Sequence, residues 1–458
     1  MTDEVCTRAR TGRRPATSAS TLLTRLSPKG LRLLHLADAI VLLAVMVGVN
    51  LVRFGTDWPT YSLSGYAIGF AGATAIHLAV YYFGGLYEPE QRLGAKPMLP
   101  RVAMLTAVAV LLVASVWLIV GRYPGGRANL VALLVLGSLG LTANRLVARK
   151  LRLRREGSPR VLLVGAPDDV NLAHTHLRDT ESSSVVVGHT GSARALLSTV
   201  EDTGATDVLL LSGRMLDEVY PEPLTTLERS GIGVLQRVSA SDTLLGLKSV
   251  REIAGMPFVP LRTHTLPASR VRFKRMVELF GLVVTLPLVL PVLALVAVYV
   301  RFAAGPPLLY RQTRVGCDGQ LFGMVKFRTM HPHAEEGLGP VLCDANDIRI
   351  IPACRWLRST RLDELPQLWN VLRGEMSVVG PRPERPELTA QYEALIPGYF
   401  RRHEIPPGIT GLAQIHGRYH TDPGYKLGHD LQYLVNWSPV LDLQILARTV
   451  WVVLRRRL

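Results

Sequence analysis

Four long apolar segments lie in the first third of the chain. They run approximately over residues 34–51, 66–83, 102–120 and 130–148. Each segment is near the roughly 20 residues that a helix needs to cross a bilayer. Basic residues cluster before the first segment, between the second and third, and after the fourth. Because cytoplasmic loops carry the excess of Lys and Arg, this pattern predicts a four-helix transmembrane bundle at residues 34–150, with both ends in the cytoplasm and a basic cytoplasmic tail at residues 1–33.

Two ionisable residues, Asp38 and His77, fall in or near these apolar segments. Ionisable groups inside a membrane are costly to bury and are often functional. Asp38 is only about one helical turn from the start of its segment, which favours a position at the level of the lipid headgroups over a role in a proton relay. We expect His77 to face a neighbouring helix.

Short apolar runs alternate with helical stretches between Pro159 and Pro260. The predicted strands are Arg160–Gly165, Val185–Gly188 and Asp207–Leu211. The predicted helices lie near Ser192–Thr203 and Glu222–Ser230. This alternation predicts an α/β Rossmann-like domain at residues 158–260. The glycine fingerprint of dinucleotide sites is missing, because Ala166-Pro167-Asp168-Asp169 follows Gly165. We therefore interpret this domain as structural or regulatory rather than as a cofactor site.

A fifth apolar segment, Met276–Val300, differs from the first four because it contains Pro287 and Pro291. Proline removes helical hydrogen bonds and bends or breaks a helix. Basic residues lie on both flanks, and a spanning helix would leave one basic cluster outside the cell. The sequence therefore favours a re-entrant helix at residues 276–300, which enters the membrane and returns to the same face. The alternative is a fifth spanning helix with a proline kink.

Composition supports a membrane location. Of the 458 residues, 48% are hydrophobic, and the mean hydropathy is +0.22. The 52 Lys and Arg against 36 Asp and Glu give a net charge of +16. These cations flank the apolar segments, which favours anionic lipid over nucleic acid as their partner. The four cysteines form no C-x-x-C pair, so neither a zinc site nor a redox motif is predicted. The polar, Arg-rich start predicts no cleavable signal peptide.

The most informative segment is Leu362–Glu384, LDELPQLWNVLRGEMSVVGPRPE. It opens with the adjacent carboxylates of Asp363 and Glu364, continues with an amphipathic run that predicts a short helix, and ends in the turn Gly380-Pro381-Arg382-Pro383. The prolines restrict the backbone around the Arg382 guanidinium. Neighbouring side chains on a helix diverge by about 100°, so the carboxylates fit two separate roles, one as nucleophile or metal ligand and the other as metal ligand or base. The alternative is a favourable charge at the start of a helix.

Two cations, Lys326 and Arg328, alternate with Phe327. On a strand they would share one face, which suits a diphosphate, whereas the alternative is a solvated basic edge beside anionic lipid. Upstream, Arg314-Val315-Gly316-Cys317-Asp318-Gly319 predicts a tight turn between strands. Adjacent carboxylates, an arginine held by prolines and nearby cations together predict a site for phosphates and a divalent metal.

Further polar candidates follow a stiff turn and apolar strand at Pro406–Gln414. Arg418 comes shortly after it, and Asp430 lies in a stretch that otherwise has the pattern of a helix surface. Both are candidate substrate contacts. His331 and His333 form an H-x-H pair without a third ligand at suitable spacing, so no metal site is predicted there. The apolar segment 440–454 ends in three arginines, which predicts an interfacial helix.

Several long blocks between Arg270 and Leu458 closely resemble the bacterial polyprenyl-phosphate sugar-1-phosphate transferases, also called monotopic phosphoglycosyl transferases. The blocks are Lys274-Arg275, Arg314-Val315-Gly316, Lys326–Met330, Leu362–Glu384, Pro407–Gln414 and Asp430. The N-terminal part resembles the larger members, which add four membrane helices and a Rossmann-like domain. The expected fold is therefore a membrane α-helical bundle, an α/β Rossmann-like domain and a mixed, mostly α catalytic domain at residues 270–458 with a re-entrant membrane helix.

The resemblance implies transfer of a sugar-1-phosphate from a UDP-sugar to undecaprenyl (polyprenyl) phosphate with release of UMP, which initiates a glycan of the exopolysaccharide, capsule or O-antigen type. It implies that Asp363 is the nucleophile and that Glu364 assists, at Mg²⁺ or by activating the lipid phosphate. The residues that would hold phosphates are Lys326, Arg328, Arg382 and Arg314. Pro291 matches the helix-breaking proline of the family. The resemblance also implies the cytoplasmic face of the bacterial inner membrane and, from larger relatives, a homodimer.

The sequence departs from the family pattern at three positions. Leu290 stands where a serine is frequent, Cys354 where a glycine is usual, and Pro352 where a basic residue is common. These departures bear on substrate preference or local geometry more than on the type of reaction. Two other functions stay open: a catalytically silent scaffold for glycan assembly and a membrane-tethered nucleotide sensor. The sugar is not indicated by the sequence.

Overall fold

The chain divides into two compact units. The computed structural model describes residues 29–59, 62–88, 92–94, 97–121, 126–180, 184–239, 242, 250–261, 266–331, 347–416 and 422–454. One unit is formed by Met1–Pro89 and Lys96–Gly157, and the other by Glu90–Ala95 and Ser158–Leu458. The predicted Rossmann-like domain, residues 158–260, and the predicted catalytic domain, residues 270–458, therefore both fall in the second unit, and their separation into two domains stays a prediction.

The first unit consists of long apolar helices. They are α1 Lys29–Phe54, α2 Leu63–Phe83, α3 Met98–Val120, α4 Gly126–Ala132 and α5 Ser138–Glu156. A π-helical turn, Leu133–Gly137, joins α4 to α5 in one continuous span of 31 residues. The four resulting spans are long and apolar enough to cross a membrane, which confirms the prediction of four apolar helices in this part of the chain.

Asp38 is fully buried inside this first unit. Its Oδ2 accepts a hydrogen bond from Tyr87 Oη at 2.8 Å and pairs with Arg145 Nη2 at 3.0 Å. Its Oδ1 accepts from Asn144 Nδ2 at 3.0 Å and from Arg145 Nη1 at 3.3 Å. The Asp38 carboxylate has a satisfied position in the helix packing, because partners from other segments reach both of its oxygens, and its level at the lipid headgroups stays a prediction. His77 is buried as well.

The second unit contains a six-stranded sheet. Its elements are β1 Arg160–Val164, α6 Pro167–Thr180, β2 Val185–Thr190, α7 Leu196–Thr203, β3 Asp207–Leu210, α8 Leu216–Val219, α9 Leu224–Arg229, β4 Gly233–Arg237, β5 Arg251–Ile253 and β6 Met256–Leu261. The strand order is β2-β1-β3-β4-β6-β5. The first four strands are parallel, and β6 is antiparallel to both of its neighbours. Leu162, Leu163 and Leu209 are fully buried, as expected when both faces of a parallel sheet are covered. The prediction of an α/β sheet in this segment is confirmed.

The loop between α2 and α3 contributes residues 92–94 to this second unit. Leu93 is buried in the same apolar cluster as Ile253 and Phe258 of the sheet. Arg251 Nη1 donates a hydrogen bond to the Gly94 carbonyl at 3.2 Å. Only the positive charge of this loop was visible in the sequence, and its place in the sheet's core was not predicted.

A single long helix, α10 Ala268–Ala303, begins the part of the chain that carries the acidic pair. It has 36 residues and is also long and apolar enough to cross a membrane. The helix stays continuous through Pro287 and Pro291, so Pro291 does not interrupt it, and the effect of this proline is at most a bend. The return of the chain to the same membrane face stays a prediction.

Short elements make up the rest of the second unit. They are β7 Leu309–Val315, β8 Leu321–Phe327, α11 Arg355–Ser359, α12 Leu368–Arg373, β9 Ser377–Val379, α13 Pro386–Leu395, β10 Gly408–Thr410, α14 Leu412–His416, α15 Pro423–Asn436 and α16 Pro439–Leu454. β7 and β8 form an antiparallel hairpin whose turn contains Asp318 and Gly319, both with positive φ, which confirms the predicted turn. β9 and β10 form a parallel pair. The 3₁₀ helices between these elements include Leu362–Gln367 and Tyr399–Glu404, which carry residues of the candidate site and its support.

Candidate active site

Asp363 and Glu364 lie in the first turn of the 3₁₀ helix Leu362–Gln367. The helix begins after Arg361, which adopts the left-handed conformation with φ 58°, and α12 continues from its end. Both carboxylates are buried, each residue being 5% exposed. Because a 3₁₀ helix has 3.0 residues per turn, the two neighbouring side chains diverge by about 120°. Each carboxylate therefore has its own surroundings.

Glu364 is surrounded by cations. Its Oε1 lies 3.1 Å from Arg382 Nη2, 3.2 Å from Arg361 Nη1 and 3.5 Å from Lys326 Nζ. Burial alone would raise the pKa of Glu364, but the charges of these three residues outweigh it and hold that pKa well below its usual range. Glu364 therefore carries a full negative charge that draws three cations to one point beside Asp363.

Asp363 is less satisfied than Glu364. Its Oδ1 is buried and has no hydrogen-bond partner among the residues that the structure describes. Burial raises the pKa of Asp363, the neighbouring Glu364 charge raises it further, and Lys326, Arg358 and Arg361 offset part of this rise. A buried carboxylate without a donor is costly to keep charged, which makes it a candidate for reaction or for a metal ligand.

Lys326, on β8, joins the two carboxylates electrostatically. Burial lowers the pKa of Lys326 to about 8, although the charge of Glu364 works against that change. The lowered pKa means that the ammonium group loses its proton at mildly alkaline pH. The side chain is 18% exposed, so an anionic substrate can still reach it. This position agrees with the predicted phosphate-binding role, which stays a prediction.

Main-chain contacts fix the turn that carries Arg382. Gly380 N donates to Thr410 O and Gly408 N donates to Pro381 O, each at 2.8 Å. The backbones approach so closely that a Cβ added at Gly408 would overlap with Gly380 N. Glycine is therefore required here, because any side chain would push the turn away from Glu364.

Two arginine side chains, the half-buried Arg314 and the buried Arg402, also hold this turn. Arg314 Nη1 donates to the Pro383 carbonyl at 3.0 Å, and Arg402 Nη2 donates to the Arg382 carbonyl at 3.0 Å. Arg402 also forms an ion pair with Asp430 at 2.8 Å. Arg314 and Arg402 thus bind the backbone on either side of the Arg382–Pro383 peptide bond.

Asp430 is 1% exposed and faces Arg402. Burial raises the pKa of Asp430 to about 6, and the Arg402 charge offsets part of that rise. In this arrangement Asp430 supports the Arg382 turn through Arg402. Its predicted contact with substrate stays a prediction, and Arg418, the other candidate contact, lies outside the described residues.

Arg328 follows the end of β8 and is 7% exposed. Its guanidinium makes five hydrogen bonds to main-chain carbonyls: those of Pro307, Met330, Ala304, Gly305 and Pro306. These contacts tie down the loop that follows α10. Its phosphate-binding role stays a prediction, but the geometry favours a structural one.

Sequence reasoning missed Arg361 and Arg402. Arg361 directly precedes the Leu362–Glu384 segment, and its left-handed backbone directs the guanidinium to Glu364. Arg402 precedes the Pro406–Gln414 turn, and no spacing rule links it to Arg382 or Asp430. Among the described residues no group of three or more His, Cys, Asp or Glu could hold a metal ion. His333, part of the H-x-H pair, lies outside the described residues.

A sequence model of the family "Bacterial sugar transferase" matches residues 269–456, which contain the acidic pair and its cations. "Exopolysaccharide production protein ExoY" of Rhizobium meliloti is 36% identical over 219 residues, which are 44% of this chain and 96% of that relative. The chain belongs to the bacterial sugar transferase family. The family prediction made from the sequence motifs is thereby confirmed.

Other sugar transferases are similar over the same part. A "UDP-glucose:undecaprenyl-phosphate glucose-1-phosphate transferase" of Caulobacter vibrioides is 40% identical over 182 residues, 39% of this chain and 68% of the relative. One with the same name from Klebsiella pneumoniae is 43% identical over 205 residues, 44% of this chain and 44% of the relative. The chain thus matches less than half the length of the Klebsiella relative.

Proposed function

We propose that this sugar transferase moves a sugar-1-phosphate from a UDP-sugar to undecaprenyl phosphate and releases UMP, which initiates a lipid-linked glycan. The observation that carries the proposal is the buried Asp363 carboxylate, whose Oδ1 lacks a hydrogen-bond partner in the described part of the chain, next to Glu364 with its three cations. The names of the Caulobacter and Klebsiella relatives support the substrate classes and make UDP-glucose the first donor to test.

The reaction would take place in two displacements at one phosphorus. In the first, an Asp363 oxygen attacks the sugar-linked β-phosphorus of the UDP-sugar, the bond to the bridging oxygen breaks, and UMP leaves. In the second, a phosphate oxygen of undecaprenyl phosphate attacks the same phosphorus, and the Asp363 carboxylate is released. Lys326 and Arg382 would stabilise the charge on the transferring phosphoryl group. The product is an undecaprenyl diphosphate sugar.

Magnesium fits the proposed site. Mg²⁺ is usually held by one or two carboxylates together with substrate phosphate oxygens, so a site without three protein ligands is no obstacle. Asp363 and Glu364 would hold it, with Asp363 as the clearer ligand, because its Oδ1 lacks a protein donor while Glu364 Oε1 faces three cations. When bound, the metal would neutralise charge on the donor diphosphate.

We also propose that α10 is re-entrant and that the site lies on the cytoplasmic face of the inner membrane. The middle and the last turns of α10 pack on the same part of the second unit. Leu282, before the two prolines, packs with Met324 of β8, and Val300, after them, packs with Phe327 of the same strand. The 18 residue steps from Leu282 to Val300 would span about 27 Å in a straight helix, whereas strand residues three apart are separated by roughly 10 Å. A bend at Pro287 and Pro291 would bring the parts of α10 before and after the prolines to one face.

The remaining proposals concern assembly. We interpret the six-stranded sheet as a Rossmann-like structural or regulatory module. Its strands β1 to β4 alternate with helices along the chain and lie parallel to one another in the sheet. A homodimer, implied by the larger relatives, is tested by the mass of the purified protein in detergent. A silent scaffold and a nucleotide sensor are not supported by the similarity to named transferases.

The function is tested by UMP release from UDP-glucose with undecaprenyl phosphate and Mg²⁺. Wild type should release UMP, and Asp363→Asn should not. The matched control is Glu387→Gln, which changes an exposed acid and should keep wild-type activity. Incubation with donor labelled at the β-phosphate, without lipid acceptor, should label the wild-type protein alone. Equal activity of wild type and Asp363→Asn would refute the nucleophile. Absence of release with UDP-glucose, UDP-galactose and UDP-N-acetylgalactosamine would favour the scaffold.

The re-entrant geometry is tested by cysteine labelling. Phe302, near the end of α10, is 85% exposed and tolerates replacement by cysteine sterically. In intact cells an impermeant thiol reagent should not reach Phe302→Cys, and it should react once the membrane is opened. Labelling only from outside the cell would establish a spanning helix instead.

A further inference from the structure

One side chain of the α/β sheet segment reaches the part of the chain that supports the candidate site. Tyr220 directly follows α8, and its ring lies 5.7 Å from the Arg401 guanidinium carbon, within the range of a cation–π contact. Its hydroxyl approaches Gly398 so closely that a Cβ added there would overlap with it. Both contacts fall within the second unit.

Gly398 is where this contact constrains the backbone. Its φ of 76° is in the left-handed region that side chains rarely adopt, and it caps the start of the 3₁₀ helix Tyr399–Glu404. Two independent reasons require glycine at this position: its positive φ, and the space that the Tyr220 hydroxyl occupies where a Cβ would lie. Tyr220 thus contacts both Gly398, the residue before the 3₁₀ helix, and Arg401, within its first turn.

The same 3₁₀ helix holds the Arg382 turn. Arg402 and Tyr399 are each 2% exposed, and Arg402 Nη1 donates to the Tyr399 hydroxyl. The other terminal nitrogen of Arg402 donates to the Arg382 carbonyl, and the Arg382 guanidinium contacts Glu364 beside Asp363. A short series of packed and hydrogen-bonded groups therefore leads from Tyr220 to the acidic pair.

We infer that Tyr220 is a positioning residue for the transferase site, supplied by the α/β sheet segment and acting through Arg401, Arg402 and Arg382. The inference rests on the proposed function. It gives a role in catalysis to the α/β segment, which lacks the glycine fingerprint of a dinucleotide site and so had no assigned function. Tyr220 does not touch the acidic pair itself, so it affects how well Arg382 is held rather than whether substrate binds.

The test compares variants of the full chain in detergent. Tyr220→Ala and Arg401→Ala should each lower kcat about tenfold, while KM for UDP-glucose changes less than about threefold, because a small displacement of a catalytic group affects the reacting complex most. Tyr220→Phe keeps the ring, Arg401→Lys keeps the cation, and both should retain kcat within about twofold. The effects of the two single variants should not multiply in the double variant, because either one alone removes the contact between Tyr220 and Arg401. Leu172→Ala, at a 44% exposed position on α6, is the control with wild-type activity.

Amide hydrogen exchange gives a readout that does not depend on turnover. In Tyr220→Ala, residues 399–404 and the Arg382 turn should exchange faster than in wild type, while β1–β4 remain protected. If Tyr220→Ala loses the protection of β1–β4 as well, Arg401→Ala decides, since it leaves the sheet untouched. Wild-type kcat and exchange in Arg401→Ala would overturn the inference. An inactive wild type would refute the proposed function alone, and faster exchange at residues 399–404 would still support the positioning contact.

Discussion

Two buried aspartates, Asp38 in the helical unit and Asp363 in the candidate site, show opposite uses of the same side chain. Both oxygens of Asp38 accept hydrogen bonds, and Arg145 pairs with it. Asp363 is almost as buried, but within the described residues its Oδ1 has no donor, and the charge of Glu364 makes ionisation harder. Burial therefore does not distinguish a structural carboxylate from a reactive one. What distinguishes them is whether the surrounding groups satisfy the charge.

The largest expected effect is on activity at the unsatisfied aspartate. Asp363→Asn should reduce UMP release by at least about a thousandfold, as removal of a nucleophile does in other enzymes. Its melting temperature at pH 8 should equal or exceed that of wild type, because a carboxyl whose pKa is raised in the folded state destabilises the fold once the pH rises above that pKa. This advantage should disappear as the pH falls toward 4. A clearly lower melting temperature at pH 8 would show that Asp363 is a structural residue like Asp38.

The reverse result is expected at the satisfied aspartate. Asp38→Ala leaves Arg145 buried without its partner, and breaking a buried ion pair costs about 3–5 kcal/mol. Thermal unfolding in detergent measures this loss. Asp57→Ala is the control, because Asp57 is exposed in the short 3₁₀ helix Gly55–Asp57 that follows α1. Replacing Asp38 and Arg145 together by apolar residues should recover most of the stability. Unchanged stability of Asp38→Ala would remove the contrast between the two aspartates.

A smaller effect is expected where the backbone, rather than a charge, positions the site. Gly408→Ala forces apart the backbones that hold the Arg382 turn, at a cost of about 1–3 kcal/mol for overpacking, and UMP release should fall with it. Gly428→Ala, on α15, meets no atom within 4 Å and should be neutral or slightly stabilising. If Gly408→Ala retained full activity, the position of the turn would matter little to the acidic pair.

The smallest effect concerns pH. In the free enzyme, kcat/KM should fall on the acid side as Asp363 is protonated, at a pH above that of an ordinary aspartate, because its pKa is raised. It should fall on the alkaline side near pH 8, where Lys326 loses its proton. Lys326→Arg should move only the alkaline limb upward, since arginine stays charged. A profile without an alkaline limb in wild type would exclude Lys326 from the rate-determining interactions.

The acidic pair and the Arg382 turn were predictable from the sequence because they lie in one short segment with strong local signals. Lys326 and Arg328 looked equivalent, since they alternate on a predicted strand. In the structure β8 ends at Phe327, so only Lys326 keeps the strand direction towards Glu364, and Arg328 binds the carbonyls that follow α10. Where a strand ends is set by its neighbours and is not visible in residue spacing.

Burial and long-range partners were the other missing information. Asp430 has the sequence pattern of a helix-surface acid, yet it is 1% exposed because Arg402 faces it. The same limit applied to Asp38, whose partners Tyr87 and Arg145 come from distant parts of the chain. In each case the local pattern identified the residue, and only the fold identified what balances its charge.

The position of Leu93 in the core of the sheet affects both the folding and the evolution of this protein. The ribosome produces Leu93 well before β1, so the apolar cluster that contains Leu93, Ile253 and Phe258 stays incomplete until β6 has been synthesised. A recombination event that moved residues 158–261 alone would leave a cavity of about one leucine side chain, which typically costs several kcal/mol. The sheet is therefore not a cassette that can be exchanged as one stretch of gene, and the loop between α2 and α3 has to evolve together with it.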